Sequence, residues 1–255
     1  MRIVSRAFVR PVSPTLASCQ VTHIARAPID VALAEAQHAA YGDALRQAGV
    51  VVDVLPAAPH LPDAVFVEDA ALILDDLIIV TRPGSEGRQE ETVTVAAALA
   101  GVAPVSFIRE PATLDGGDVL RMGHDLFVGT GGRTSREGFD QLTAIASRFG
   151  YRTTPVDVRG CLHLKTAVTA IDEGTVLIHT AHIDRGVFAA FDAIEADAAE
   201  PSGANVLAIN GRVHAAASAP RTHEAIDRRG YDVDVFDISE FEKAEAGMTC
   251  LSLLL

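Results

Sequence analysis

VFVEDAALILDDLIIVT, residues 65 to 81, is the stretch that decides the fold. Two apolar runs are separated by the polar pair Asp75-Asp76, which reads as a strand, a tight turn and a returning strand. The same pattern recurs in ATLDGGDVLRMGHDLFVGT (112 to 130), with its turn at Gly123-His124. It recurs again in LHLKTAVTAIDEGTVLIHT (162 to 180), turning near Glu173-Gly174. A fourth copy, SGANVLAINGRVHAAA (202 to 217), turns at Asn210-Gly211, a strong two-residue hairpin signal. A fifth would pair the terminal MTCLSLLL (248 to 255) with RIVSRAFV (2 to 9) and close a ring.

Helical spacing lies between the hairpins. Residues 30 to 48 (DVALAEAQHAAYGDALRQA) carry apolar positions at helical intervals and stop before Gly49, and the strand VVDVL follows. Further helices are expected over 88 to 100, 135 to 148 and 220 to 229, with a weaker one near 184 to 190. Strands are expected at about 103 to 108, 153 to 156, 191 to 196 and 231 to 236. Hairpin-helix-strand units repeating at a period of roughly 50 residues predict a closed, propeller-like α/β array. A doubly wound α/β sheet is the alternative, but hairpins this frequent fit poorly with a purely parallel sheet. No linker or shift in composition divides the sequence, so residues 1–255 are read as a single domain.

Composition agrees with layered α/β packing. The chain is 49% hydrophobic but has only 10 Phe, 3 Tyr and no Trp, so Ala, Val, Leu and Ile must build the core. A formal charge of −13 argues against a nucleic-acid partner, whose phosphates demand Lys and Arg. The same charge suits a cationic small molecule, although solubility alone also explains it. No apolar run approaches the ~20 residues that span a bilayer, so no membrane partner is expected. Three cysteines without a Cys-x-x-Cys pair favour free thiols, and the MRIVSRAFVRPVSP start shows no signal-peptide pattern, so a cytoplasmic location is expected.

The repeat also sorts the reactive residues. Just before the first strand of each hairpin stand Glu68-Asp69, then Asp115 and Asp118, then His163, and in the fifth Cys250; the fourth copy offers only Asn205. Each has an ordinary explanation alone: a buried thiol, a strand histidine, an Asp-Gly-Gly turn. Arranged around an axis, however, equivalent positions face one another across its mouth. Cys250 would then be a nucleophile served by a histidine and a carboxylate. Asp63, Glu68 and Asp69 would face a cation or water, and a planar guanidinium pairs well with carboxylates. His179 and His182 are spaced three apart without an evident third ligand, and read as exposed strand-end residues rather than a metal site. GTGGRT (129 to 134) lacks the spacing and lysine of a phosphate loop. Neither metal nor cofactor is expected.

LPDAVFVEDAA, the TRPG turn (81 to 84), ATLDGGDVL, FVG with GGRTSREG, CLHLK and MTCLSLL together resemble the dimethylarginine dimethylaminohydrolases. QHAAY (37 to 41) and PRTHEAIDRRGY (220 to 231) extend the match along nearly the whole chain. The resemblance implies the five-fold pseudosymmetric α/β propeller, or pentein fold, of the guanidine-modifying superfamily. It implies Cys250 as nucleophile, His163 as general acid and base, and Asp115 as the group that orients His163. Glu68 and Asp69 would lie at the substrate guanidinium, Asp63 at its α-amino group, and Arg88 and Arg133 at its α-carboxylate. The backbone around Ala244 would line the pocket, and a lid would fall within SPTLASCQVTH (13 to 23). The chain departs from the family pattern in GSEGRQEE, where only Arg88 stands for paired basic residues, and at Ser135, where Asn is common after Arg-Thr. Cys161 is read as a bystander.

The expected activity is a cofactor-free cysteine hydrolase that converts a methylated arginine to citrulline, working as a monomer or homodimer. A sister enzyme acting on arginine, agmatine or another guanidine, and a non-catalytic propeller that binds protein, are the competing readings.

Overall fold

The computed structural model describes residues 3–255. Strand β1 (Arg6–Val9) is followed by helix α1 (Val31–Gln47) and β2 (Val51–Val54). The second unit contains β3 (Ala71–Ile73), β4 (Ile78–Val80), α2 (Glu91–Leu99) and β5 (Val105–Phe107). The third contains β6 (Val119–Met122), β7 (Asp125–Thr130), α3 (Arg136–Ala146) and β8 (Arg152–Asp157). In the fourth, a single turn, α4 (Leu164–Ala167), leads into β9 (Val168–Ala170), β10 (Thr175–Ile178) and β11 (Asp192–Glu195). The last contains β12 (Leu207–Ile209), β13 (Arg212–Ala216), α5 (Pro220–Asp227), β14 (Asp232–Phe236) and α6 (Ser239–Glu242), before β15 (Leu253–Leu254).

The strands form five three-stranded sheets with one plan. A hairpin supplies two antiparallel strands, and a crossover returns the third parallel to the middle one, as in β3-β4-β5. The remaining sheet is built from both ends of the chain: Phe8 pairs with Leu253 and Ala7 with Leu254, while β1 runs parallel to β2. This is the five-bladed α/β propeller that the repeat predicts. The doubly wound alternative fails because each blade keeps its own three-stranded sheet.

Local sequence explains the pieces. Middle strands are apolar on both faces because helices cover one side and neighbouring blades the other, and Ile78, Ile79 and Val80 are all buried. Asn210 and Gly211 take φ of 49° and 90°, the left-handed pair that a tight hairpin requires. Asp30 caps α1 by accepting from the Leu33 amide, and Ser135 caps α3 by accepting from Gly138. The serine that departs from the family pattern is therefore a helix cap. The weak helix expected near 184 to 190 is only a 3₁₀ turn, Arg185–Phe188, and α6 was not foreseen.

The first strands of the hairpins face the ring's centre, with β15 against β3, β6 against β9 and β9 against β12. They enclose a central cavity of about 340 Å³. At their leading ends sit short turns: Val67–Ala70, Gly116–Asp118, α4 directly after His163, and Met248–Leu251. The pseudosymmetry thus gathers the reactive residues of distant segments at one end of the ring.

Candidate active site

At that end Asp63, Asp69, Arg88, Arg133, His163, Ala244 and Cys250 line one pocket, joined by Gln20, Phe66 and Glu245. Asp115 lies directly beneath, fully buried, with its Oδ2 3.0 Å from His163 Nε2. Its other oxygen accepts from the Gly84 amide at 2.7 Å, so the carboxylate cannot swing away without losing both partners. On the opposite side of the imidazole, Nδ1 is 3.8 Å from Asp69 Oδ1. Burial alone would lower the histidine, but Asp69, the hydrogen-bonded Asp115 and nearby Asp118 outweigh it and raise it to about 10. His163 is therefore an imidazolium at neutral pH.

Asp69 is held as an anion. Burial works against its charge, yet His163, Arg88 and the Gly117 amide (2.9 Å) offset this and keep it at about 2. The Asp-Gly-Gly sequence now has a spatial reason. A Cβ on Gly117 would lie 2.7 Å from His163 Nδ1 and 2.8 Å from Asp69 Oδ1, and one on Gly116 would lie 2.0 Å from the Glu68 carbonyl oxygen. Only glycines let these strands of chemistry approach so closely.

The Cys250 thiol receives the Gly247 amide at 3.4 Å. Burial, and then the charges of Glu68 and Asp69, push it above the ordinary thiol range, so without a bound cation it stays protonated.

Glu68 lies one layer deeper than the sequence suggests. Lys165 Nζ contacts its Oε1 at 2.7 Å and Thr249 Oγ1 donates to its Oε2 at 2.7 Å. All three residues line the central cavity, and Glu68 is not among those lining the front pocket. The ion pair therefore belongs to the wall of the central cavity. Arg88 is similarly committed: Nε and Nη2 hold Glu91, Nη2 also donates to the Phe66 carbonyl at 3.0 Å, and Nη1 reaches Asp69 at 2.6 Å. Of its five N–H groups, only one on Nη1 lacks a hydrogen bond among the described residues. Arg133 is freer, with a 3.2 Å hydrogen bond to Thr22 and no ion pair among the described residues. Asp63 accepts the Gln20 amide at 3.1 Å, and burial raises its carboxyl.

Sequence reasoning missed Lys165, Glu91, Gln20 and Glu245. Lys165 stands within the quoted CLHLK, but nothing in the spacing announces its partner. Asp118, placed in the repeat, ties the site together by accepting from Thr134 Oγ1 (2.7 Å) and the Leu164 amide (3.0 Å). Cys161 is half-buried, and burial pushes its thiol up to about 12. His179 departs from the expected exposure. It is buried against His182, ring centroids 4.7 Å apart, because the end of β10 is covered by the chain that turns into the next strand. Ligand atoms of Asp69, Asp115 and His163 lie within 4.8 Å of one another, close enough to share a cation on distance alone. Arg88 on Asp69 and the imidazolium already place positive charge there. No helix among the described residues is long and apolar enough to cross a membrane.

A five-bladed propeller with a cysteine, a histidine and carboxylates at its mouth fits the guanidine-modifying class that the sequence resemblance implies. The family described as N,N dimethylarginine dimethylhydrolase, eukaryotic, matches residues 23–197. The N(G),N(G)-dimethylarginine dimethylaminohydrolase of Streptomyces coelicolor is 43% identical over 98% of this chain and 96% of its own length. A solved Pseudomonas aeruginosa enzyme of this kind, a Cys-to-Ser mutant complexed with citrulline, is 32% identical, with a TM-score of 0.95 over 100% of both chains. A dimethylarginine dimethylaminohydrolase adduct with S-methyl-L-thiocitrulline, in a His-to-Gly variant, matches with TM-score 0.95 and 32% identity over 99% of this chain and 100% of the other. The chain belongs to the dimethylarginine dimethylaminohydrolase family.

Proposed function

We propose that this enzyme hydrolyses Nω-methylated arginines to citrulline and a methylamine through a covalent thiouronium on Cys250. The observation that carries the reading is the convergence of a thiol, an imidazolium and the Asp69 carboxylate on one pocket, which Arg88 and Arg133 also line. Citrulline bound to the Pseudomonas aeruginosa relative supports the same product.

A guanidinium entering the pocket meets Asp69, while Glu68 adds negative charge from behind. Its own positive charge stabilises the Cys250 thiolate, and the thiol proton passes to solvent water. The thiolate attacks the guanidinium carbon, and the His163 imidazolium, held by Asp115, protonates the departing methylamine. Now neutral, His163 takes a proton from water as that water adds to the thiouronium carbon. Collapse breaks the carbon–sulfur bond, regenerates the thiolate, and leaves citrulline after loss of the hydroxyl proton. Asp63 faces the α-amino group and the arginines the α-carboxylate, which positions the reacting carbon over sulfur.

The test is turnover of dimethylarginine, monomethylarginine, arginine and agmatine without added cofactor or metal, beside Cys250→Ser. Ureido product from the methylated arginines alone, lost in the mutant, is expected. Turnover confined to arginine or agmatine would refute the substrate assignment, and activity above a few per cent in Cys250→Ser would refute the nucleophile.

A further inference from the structure

The front pocket encloses about 20 Å³, room for roughly one water molecule. A substrate the size of an amino acid can enter only if a wall moves. Three sides are tied down by hydrogen bonds: Asp69 accepts the Gly117 amide, His163 is held by Asp115, and the turn at Cys250 is held by the Thr249 amide on Asn205 and by Thr249 Oγ1 on Glu68. The fourth side is closed by Gln20, which opens the segment Gln20 to Arg26; that segment carries no strand or helix, is exposed from Thr22 to Arg26, and packs onto the pocket residues Arg133 and Glu245.

That segment is fastened chiefly by one side chain. Glu245, some two hundred residues away in sequence, turns its carboxylate to three successive amides. Oε1 accepts from His23 at 2.6 Å and from Ile24 at 3.1 Å, and Oε2 accepts from Thr22. A carboxylate taking several backbone N–H groups makes charge-assisted bonds, stronger than neutral ones. Glu245 also lines the pocket itself, between Ala244 and Ala246. Its backbone has φ of +60°, a left-handed conformation that a residue with a long side chain rarely adopts and that surrounding contacts must hold. This twist is what points the carboxylate at the loop. Other ties accompany it: Asp63 with the Gln20 amide, the Gln20 side chain with Ser85, Arg133 with Thr22 Oγ1, and Arg26 with the Ala17 and Cys19 carbonyls just upstream. Asp63 and Arg133 also face the substrate in the reading above.

We propose that Glu245 is a positioning residue that latches the loop 20–26 over the active site, so that the loop completes the pocket around a bound arginine derivative. Substrate entry requires the three amides to leave Glu245, and closure re-forms them. Because Asp63 and Arg133 serve loop and substrate alike, substrate binding and closure are coupled at the amino-acid end, not at the guanidinium. The substrate side of this inference rests on the function proposed above.

Two variants separate the carboxylate from the backbone. Glu245→Gln keeps the length but loses the charge and one acceptor. Glu245→Gly relieves the left-handed backbone and removes the latch entirely. Amide hydrogen exchange at Thr22, His23 and Ile24 should accelerate about tenfold or more in Glu245→Gly and by a smaller factor in Glu245→Gln, as expected for losing strong hydrogen bonds. KM for dimethylarginine should rise by about tenfold in the Gly variant while kcat changes less than about threefold, the mark of lost uniform binding. A purely structural role for Glu245 predicts lowered thermal stability with unchanged exchange at 22–24, and that result would overturn the latch. A fall in kcat at constant KM would also overturn it, by moving Glu245 into the chemistry. Exchange is read without turnover, so the latch is decided even if dimethylarginine proves not to be the substrate.

Discussion

Replacing Asp115 by Asn preserves the shape of the side chain and removes its charge from beneath the imidazole. In the native chain Asp115 is fully buried and meets His163 Nε2 at 3.0 Å. The histidine stands at about 10 against an ordinary 6.5, raised by Asp69, by the Asp115 hydrogen bond, by Asp118 and by the Asp115 charge, with burial opposing all four. Asp115 supplies two of these contributions, and an opposite charge at this distance moves a neighbour by about 1–3 pH units, or about 1.4–4 kcal/mol. His163 in Asp115→Asn should therefore titrate between roughly pH 7 and 9. NMR of the imidazole nitrogens, in a Cys250→Ser background to keep the thiol from titrating, reads this directly. A folded value above the unfolded one stabilises the native state fully below about pH 6.5, and that stabilisation is lost as pH rises through about 10. Chemical denaturation of the native chain should show declining stability across that window, and in Asp115→Asn the decline should end about 1–3 pH units lower. With active Cys250, kcat should fall about 10²–10⁴-fold, the usual worth of a general acid. A midpoint for His163 within half a pH unit (about 0.7 kcal/mol) of the native one would refute the electrostatic reasoning.

Two further outcomes test the site. The free enzyme should show no thiolate absorbance near neutral pH, because burial and the Glu68 and Asp69 charges hold the Cys250 thiol high; an unreactive cationic arginine analogue should make it appear, and a thiolate already present without ligand would sink the ionisation scheme. Gly117→Ala places a methyl group 2.7 Å from His163 Nδ1, so the imidazole must shift, and a misplacement of this order costs about 10²-fold in turnover. Activity within about threefold of native for a folded Gly117→Ala protein would show that the close approach is not needed.

The sequence by itself determined the blade. A hairpin is written locally, in alternating or wholly apolar runs and in turn residues such as Asn210-Gly211, and a helix in its spacing and its caps at Asp30 and Ser135. Five copies of one local pattern also imply equivalent positions, which is why Asp69, Asp115, His163 and Cys250 could be brought together on paper before any coordinates. Where the reading fell short, the missing information was a partner far away in the chain. Lys165 and Glu68 are separated by 97 positions, and only the packing of blades brings that pair together in the wall of the central cavity. The sequence places carboxylates near His163 but does not determine its protonation, which depends on distances of 3.0 Å and 3.8 Å set by blade packing. His179 looked exposed because its burial comes from chain beyond its own strand. Glu245 and the amides of residues 22 to 24 lie at opposite ends of the sequence, and the closing blade that pairs β1 with β15 brings those ends together. Periodicity and turn chemistry act over a few residues and can be read in order. Charge pairing, desolvation and the fastening of a loop act through space, so the tertiary structure alone decided them.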